Sequence, residues 1–269
     1  MRRNLLATAL AALAVATTGA GTASAATAVS SNWSGYAVTG TTFSSVSGTW
    51  VEPTASCSSS TTSVTASAFW VGLGGESDAA GALEQTGTEA DCLANGTVRY
   101  SAWYELVPAA SVRVSLGVSA GDTISASVRV SGSTVTVRLA NVTTGKTFAK
   151  TLRMAAPDTS SAEWIAEAPS TVTPGGESIL PLTDFGTVRF KSARATSSTG
   201  HTGSISDSAW TATRIRLESG ASSGPGPFGP FAAESSGVEA APGALAPGGT
   251  GFSVIWKRTS AGSSPPGAL

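Results

Sequence analysis

The chain has 269 residues, with 16 Lys and Arg against 17 Asp and Glu, so its formal net charge is only −1. Charged residues make up 12% of the chain, and no basic run suggests a nucleic acid or an anionic lipid as a partner. His201 is the single histidine, so a Ser-His-Asp triad or a zinc site has at most one imidazole available. If the chain is a hydrolase, carboxyl and amide groups must carry the chemistry.

Residues 1–25 have the pattern of a secretory signal peptide. Arg2 and Arg3 form its charged start, an apolar stretch over 5–16 is too short to span a bilayer, and Ala23-Ser24-Ala25 supplies the small residues of a cleavage site. We therefore expect a secreted, extracellular protein that begins near Ala26 and has no membrane association after the signal is removed.

Apolar and polar residues then alternate with a period of two, which is typical of β-strands. The clearest runs are 111–116, 123–130 and 133–139, and Ser131-Gly132 between the last two predicts a hairpin turn. Thr144-Gly145 predicts a second turn within 141–148. Further strands are expected at 45–51, 66–72, 98–107, 162–167, 187–195, 209–217 and 252–258.

About ten or more short strands joined by Gly, Ser and Pro turns predict an all-β fold, a β-sandwich of two packed antiparallel sheets. One domain is expected over 26–258. Within it the Pro/Gly-rich stretch 219–251 is interpreted as a long loop or insertion, and 259–269 as a disordered tail. Cys57 and Cys92 both lie in the exported part, where we expect them to form a disulfide.

Five segments combine aromatic side chains with carboxyl or amide groups. They are Asn-Trp-Ser-Gly-Tyr at 32–36, Phe-Trp-Val-Gly-Leu-Gly-Gly at 69–75, Leu-Glu-Gln-Thr-Gly at 83–87, Tyr-Ser-Ala-Trp-Tyr-Glu at 100–105 and Ala-Glu-Trp-Ile-Ala-Glu at 162–167. Alternation places Trp103 and Glu105 on one face of their strand, and Glu163 and Glu167 on one face of theirs. A glutamate on a packed or concave face needs a partner or a task, although each could equally lie at an edge. Gln85 alone is typical of a turn residue.

In this order and spacing the five segments resemble the glutamic peptidases, also called eqolisins. The resemblance runs from 32 to 167, and weaker strand similarity continues to about 258. Any one of the motifs is weak, but five in sequence are specific. The resemblance implies two antiparallel sheets of about seven strands each, in a concanavalin- or lectin-like sandwich with a concave substrate groove.

The resemblance also implies a secreted acid endopeptidase in which Gln85 and Glu167 form the catalytic pair. It implies polypeptide substrates, no cofactor and no metal, and we expect a monomer. The residues assigned to substrate contact in the groove are Trp70, Tyr100, Trp103 and Glu105.

In the implied mechanism, Glu167 is ionised, accepts a proton from the attacking water and returns it to the leaving nitrogen. Gln85 orients the water and donates its amide N–H to the oxyanion. The chain departs from the fungal pattern at Gly74 and Ser101, where fungal members carry Asp. Fewer carboxylates in the groove could change the working pH or the subsite preference.

Two other interpretations remain. A carbohydrate-binding or glycoside-hydrolysing sandwich also carries Trp platforms and paired carboxylates, with Glu105 and Glu167 as acid and base or nucleophile. Gln85 discriminates between the two, because a glycosidase does not need it. A binding module without catalysis is disfavoured because both catalytic-type residues stand in their motifs.

Overall fold

The computed structural model describes residues 25–57, 63–76, 81–173, 176–219 and 237–257. The expected signal peptide except Ala25, the middle of the Pro/Gly-rich stretch and the tail from 259 lie outside these residues. Within the described ranges the chain forms eighteen strands and no helix. The strands are β1 Ala26–Ser30, β2 Trp33–Thr39, β3 Phe43–Val51, β4 Thr65–Gly74, β5 Leu83–Cys92, β6 Val98–Val107, β7 Val112–Val114, β8 Thr123–Ser131, β9 Thr134–Asn141, β10 Lys146–Arg153, β11 Ala162–Glu167, β12 Ser170–Thr173, β13 Gly176–Ile179, β14 Thr187–Ser197, β15 Thr202–Gly203, β16 Thr211–Ser219, β17 Gly237–Pro242 and β18 Phe252–Trp256.

Sixteen of these strands belong to one hydrogen-bonded sheet, which folds back over itself into two layers. The order is β10-β9-β8-β3-β14-β18-β17-β16-β2-β11-β4-β5-β6-β7, with β1 on β16 and β15 on β14. Strands β4 and β5 of one arm pack on β3, β8 and β9 of the other. We call β2, β11, β4, β5, β6 and β7 the cleft layer, and β10, β9, β8, β3 and β14 the outer layer. The all-β antiparallel sandwich is confirmed, but its layers are joined by β17 rather than being separate sheets.

Most expected strands are present, and two segments differ from expectation. The hairpin at Ser131-Gly132 joins β8 to β9, and its last pair is Ser131 with Thr134. Strand β17 lies inside the stretch interpreted as a loop. This segment is a strand because Ala240 is buried and pairs with both Leu217 and Trp256. Gln85 lies inside β5 rather than at a turn.

The core between the layers follows from the alternation of the strands. Inward-facing Trp50, Ile124 and Phe190 are almost fully buried, and their outward-facing neighbours are polar except for Val51. Trp164 of β11 crosses the interface, and its Nε1 donates to the carbonyl oxygen of Ser47 over 2.8 Å. This bond satisfies the indole N–H and ties the cleft layer to the outer layer.

Cys57 and Cys92 form the expected disulfide, with Cα atoms 5.3 Å apart. The bridge lies at the end of β5, beside Tyr100 and Ala90. It anchors the chain between β3 and β4 to the end of β5.

Several carboxyl groups are buried inside the fold. Burial raises the pKa of Glu52 to about 7, although Thr88 and Trp50 donate hydrogen bonds to it. Burial also raises the pKa of Glu84 to about 8, with the backbone N–H of Asp158 bonded to its Oε1 over 3.1 Å. The pKa of Glu163 is raised well above its ordinary value by the same cause. In acid, all three groups are neutral in the folded state.

From the raised pKa values of these three groups, we expect the fold to be more stable in acid than near neutrality. Each has a higher pKa when folded, so the folded state binds more protons and the free energy of unfolding falls as pH rises from about 4.5 towards 7 or 8. Each group contributes a slope of up to about 1.4 kcal/mol per pH unit in that window. Melting temperatures from pH 4 to 8 should fall steadily, and Glu84→Gln should make the fall shallower. A melting temperature that rises from pH 4 to 8 contradicts this account.

Candidate active site

The face of the cleft layer that points away from the core between the layers carries polar side chains in two rows, separated by a row of aromatic and small residues. Residues paired across adjacent strands lie on the same face of a pleated sheet, as do residues two apart along one strand. The first row is Glu163, Gly72, Gln85 and Glu105; the middle row is Ile165, Trp70, Gly87 and Trp103; the third is Glu167, Ala68, Glu89 and Ser101. The register of β11, β4, β5 and β6 therefore brings Gln85, Glu105 and Glu167 to one surface.

Glu167 ends β11, and side-chain donors hold its carboxyl group. Trp70 Nε1 donates to Oε2 over 2.6 Å, and Asn32 Nδ2 donates to Oε1 over 3.1 Å. The backbone of Asn32 is itself fixed, because its backbone carbonyl oxygen accepts the N–H of Ala168 over 2.8 Å. Burial raises the pKa of Glu167 to about 8, and the Glu105 charge adds to this, although the bonds from Trp70, Trp33 and Asn32 oppose it.

Trp70 reaches Glu167 because its neighbours on the same face are glycines. A Cβ on Gly87 would lie 2.6 Å from Trp70 Cβ, and one on Gly72 would lie 2.8 Å from Trp70 Cζ3, so no other residue leaves room for the indole. Trp33 packs edge-on against this indole with ring centres 5.0 Å apart. The Trp70 ring is fully buried, which directs its N–H at Glu167 and not at the solvent.

Gln85 is oriented by Glu105 on the adjacent strand. Gln85 Nε2 donates to Glu105 Oε2 over 2.7 Å, since the two residues are direct partners in the β5–β6 ladder. An amide nitrogen carries two N–H groups, so the second N–H remains for a ligand. Gln85 Oε1 is buried and has no hydrogen-bond partner among the described residues. The Gln85 amide is thus fixed in plane with a donor and an acceptor to spare.

A cavity of about 510 Å³ opens over these groups. Its floor includes Gln85, Glu105, Glu167 and Trp103, and its rim is formed by the segments 108–111 and 169–171. This volume is in the range of pockets that bind small molecules or short peptide segments.

The cavity brings together four of the six residues named from sequence. Trp70 lies beneath the floor and contacts Glu167. Tyr100 faces the other side of β6, where its hydroxyl accepts the N–H of Ala55 over 3.0 Å, and it is not part of the cavity lining. His201 lies away from the cavity, and its Nε2 is 3.1 Å from the Asp207 carboxylate. Within the described ranges, no three His, Cys, Asp or Glu side chains are grouped to hold a metal ion.

Asn32 and Glu89 have no role in the prediction from sequence. Glu89 lies in the cavity lining, and burial raises its pKa to about 8, to which the neighbouring Asp91 carboxyl adds. The signal for Glu89 was present, because it stands four residues after Gln85 on the same strand and hence on the same face. The pairing of Asn32 with Glu167 joins residues 135 apart, which no local pattern indicates.

At Gly74, where the resemblance leads us to expect an Asp in place of Gly, a neighbouring side chain takes the space. Gly74 has φ +82°, and a Cβ there would lie 2.8 Å from Asp158 Cγ. Asp158 Oδ2 accepts the N–H of Gly75 over 3.2 Å. The Asp158 carboxylate from the loop before β11 is therefore held against the backbone of position 74.

The chain belongs to the Peptidase A4 family, whose model matches residues 31–223. It is similar to aspergillopepsin-2 of Aspergillus niger, with 32% identity over 190 residues, which cover 62% of this chain and 65% of that protein. It is also similar to scytalidopepsin B of Scytalidium lignicola, with 39% identity over 124 residues, 45% of this chain and 44% of that one. The chain thus spans less than two thirds of the length of either curated relative.

Solved structures give the same family. A crystal structure of scytalido-glutamic peptidase with a transition state analog inhibitor matches with a TM-score of 0.67 and 27% identity, over 84% of this chain and 98% of that one. Aspergilloglutamic peptidase from Aspergillus niger matches with a TM-score of 0.57 and 28% identity, over 72% of this chain and 99% of that one. Among the described residues of this chain, no helix is long and apolar enough to cross a membrane.

Proposed function

We propose that this protein is a secreted endopeptidase that works in acid and hydrolyses peptide bonds with a water held between Gln85 and Glu167. The observation that carries the proposal is the partly buried Glu167 carboxyl, held by Trp70 and Asn32, in one cavity with the Gln85–Glu105 pair. The names of the similar structures, which are glutamic peptidases, support the same reaction class.

An extended peptide is the substrate that suits this cavity. The floor is a sheet face, and Trp103 lies between the two polar rows, where it offers an apolar surface. The rim segments 108–111 and 169–171 stand on either side and supply contacts for the side chains of the substrate. We assign Trp103 and Glu105 to substrate contact, and Trp70 to holding Glu167.

The raised pKa of Glu167 changes the mechanism expected from sequence. With a pKa of about 8, the carboxyl group is protonated in the free protein throughout the acid range. The ionised base is then a minor form, whereas the neutral carboxyl can donate and accept a proton through its two oxygens. We therefore assign the neutral carboxyl to the reaction in acid.

The first step forms a neutral intermediate. One oxygen of Glu167 gives its proton to the scissile carbonyl oxygen while its other oxygen takes a proton from the attacking water. The carbonyl carbon then bears two hydroxyl groups, and Glu167 is again neutral. The spare N–H of Gln85 donates to the oxygen that was the carbonyl, and Gln85 Oε1 accepts from the water.

The second step breaks the carbon–nitrogen bond. Glu167 donates its proton to the nitrogen and accepts one from a hydroxyl of the intermediate, which leaves a carboxylic acid and an amine. The proton count of Glu167 is unchanged over the cycle.

The test is digestion of a denatured protein from pH 3 to 9, with a metal chelator and with an inhibitor of the pepstatin kind in separate arms. We expect cleavage in acid that neither agent stops. With a short peptide substrate, kcat/KM should stay constant from pH 3 to about 7 and fall through about pH 8 as Glu167 ionises. Loss of cleavage with the chelator, or kcat/KM rising tenfold per unit up to pH 8, contradicts the proposal.

Glu105→Gln should reduce turnover by about tenfold and raise KM severalfold. The new amide can still accept from Gln85 Nε2, so the Gln85 plane is kept, but the contact with substrate changes. Glu105 also raises the pKa of Glu167, so the fall of kcat/KM should move to lower pH. Glu163→Gln is the matched control, because Glu163 lies in the same row and has no assigned role. An inactive Glu105→Gln beside a fully active Glu167→Gln would revive the glycosidase interpretation.

A further inference from the structure

The outer layer presents a basic surface on the side of the molecule opposite the cavity. Outward positions of β3, β8, β9, β10 and β14 carry six exposed cations: Arg129, Arg138, Arg153, Arg189, Lys191 and Arg194. These five strands are described in full and contain no Asp or Glu. Most of the other outward residues are Ser and Thr. We call this surface the basic sheet face.

The cations are placed across the face by the register of the strands. Arg138, Ser127, Ser47 and Arg194 form one row across β9, β8, β3 and β14. Three strand spacings place the two ends of this row about 14 Å apart. Arg129 lies on the same face of β8, two residues from Ser127, so three guanidinium groups surround a patch of hydroxyls.

A bulge in β14 adds a cation to this face. Lys191 and Arg194 are three residues apart and would face opposite sides of a regular strand. The register shifts between them, and Ser192 has φ +52°, so both are exposed while Phe190 and Ala193 are buried. Ser192 is the one non-glycine residue with positive φ in the described part of the chain. Such strain is kept at positions that the surrounding structure requires, and functional sites are enriched in it.

Among the residues that the structure describes, no ion pair balances the charge of these cations. The ion pairs found among the described residues involve Arg99, His201 and Arg216, and none involves the basic sheet face. The cleft layer carries partly buried carboxyl groups instead, for example Glu89 and Glu167. A protein with a net charge of −1 therefore has one strongly positive surface, which attracts anions.

We propose that the basic sheet face binds a linear polymer of polyols joined by phosphodiesters. The protein is thereby held on that polymer while the cavity on its opposite side stays open. Guanidinium groups match the two free oxygens of a phosphodiester, and Ser and Thr hydroxyls donate to the same oxygens or to polyol hydroxyls. A phosphodiester also keeps its charge in acid, whereas a carboxylate polymer becomes protonated.

Other polyanions fit this face less well. No aromatic side chain occupies an outward position of these five fully described strands, so bases have no platform to stack on. A broad sheet face cannot enter a nucleic acid groove. Val51 is the one bulky apolar side chain at the outward positions of the same strands, so there is little to insert into a lipid bilayer.

The experiment measures binding of the purified protein to poly(glycerol phosphate) at 25 to 200 mM NaCl and pH 5. The test variant is Arg129→Gln, Arg138→Gln and Arg194→Gln together. The matched control is Lys146→Gln, Lys150→Gln and Lys257→Gln, which removes equal charge from exposed positions outside this face. Lys146 and Lys150 share rows with buried Asn141 and Val137, so they point to the opposite side of the sheet.

We expect the test variant to bind at least tenfold more weakly and the control to stay within about twofold of wild type. Affinity decreases with salt, and the plot of log K against log salt should be shallower by about 2 in the test variant. Each phosphate that is no longer neutralised reduces the magnitude of this slope by about 0.7. Melting temperature and hydrolysis of an uncharged peptide should be unchanged in both. If the triple variant does not fold, the single variant Arg138→Gln is measured in its place and should still bind more weakly than wild type.

Three results would overturn the proposal. The first is wild-type protein that shows no salt-dependent binding to poly(glycerol phosphate). The second is an equal loss of affinity in both triple variants, which makes net charge alone responsible. The third is equal or tighter binding of a single-stranded DNA oligonucleotide with the same salt slope, which removes the preference for a polyol backbone.

Discussion

Glu167→Gln is expected to reduce turnover by about 10,000-fold or to below detection, while substrate still binds. The amide keeps the size of the side chain and its one oxygen can still accept from Trp70 Nε1, but it can neither give a proton to the scissile carbonyl nor take one from water. Proton transfer by a positioned group contributes about 100-fold to 10,000-fold, and this one group serves both directions in both steps. The measurement is kcat and KM on a short peptide in acid.

Two controls separate chemistry from folding in this experiment. Because Glu167→Gln removes a partly buried group with a raised pKa, the melting temperature of this variant should become less sensitive to pH between 4.5 and 8. Glu167→Asp keeps a carboxyl group but withdraws it from Trp70 Nε1, so it should retain a small part of the activity. Near-normal kcat in Glu167→Gln, with normal melting, removes this residue from the mechanism.

Gln85→Ala is expected to lower kcat by about 100-fold to 1,000-fold, the usual effect of removing one hydrogen-bond donor to the reacting carbonyl oxygen. The change removes the donor to the scissile carbonyl oxygen, the acceptor for the water and the hydrogen bond to Glu105. Folding should be kept, because Gln85 lines the cavity and takes no part in the core between the layers.

Whether the loss of activity appears in kcat or in KM identifies the role of Gln85. A drop confined to kcat indicates an interaction made mainly in the transition state, whereas a rise in KM alone indicates ground-state binding. Gln85→Glu is a useful companion, since it keeps the acceptor but places a second carboxyl group beside Glu105. A kcat within a fewfold of wild type for Gln85→Ala is incompatible with the proposed mechanism.

Local pattern predicted much of the fold because strand alternation and turn residues are local properties. The strands 98–107 and 162–167 and the hairpin at Ser131-Gly132 agree with β6, β11 and the β8–β9 turn. Strand β17 was missed because its pairing with β16 and β18, and not its composition, makes it a strand. The union of the two layers through β17 is likewise a long-range property.

At the site, alternation placed some groups and tertiary contacts decided the rest. Trp103 and Glu105 face the cavity as expected from their spacing. The same rule places Tyr100, five residues before Glu105, on the other face of β6. The protonation of Glu167 could not be read from sequence, because it follows from burial beneath distant segments. The basic sheet face was also hidden, since its cations are dispersed over four strands with no basic run.

The floor of the cavity rests on four strands, β11, β4, β5 and β6, that are each paired on both sides. Amide hydrogens along these ladders should exchange with deuterium only through large openings of the protein, so the reacting groups keep their positions between turnovers. The rim segment 108–111 is a loop outside these ladders. Under the proposed function, the preference for particular substrate sequences can therefore be changed by grafting new rim loops, while Gln85 and Glu167 keep their positions.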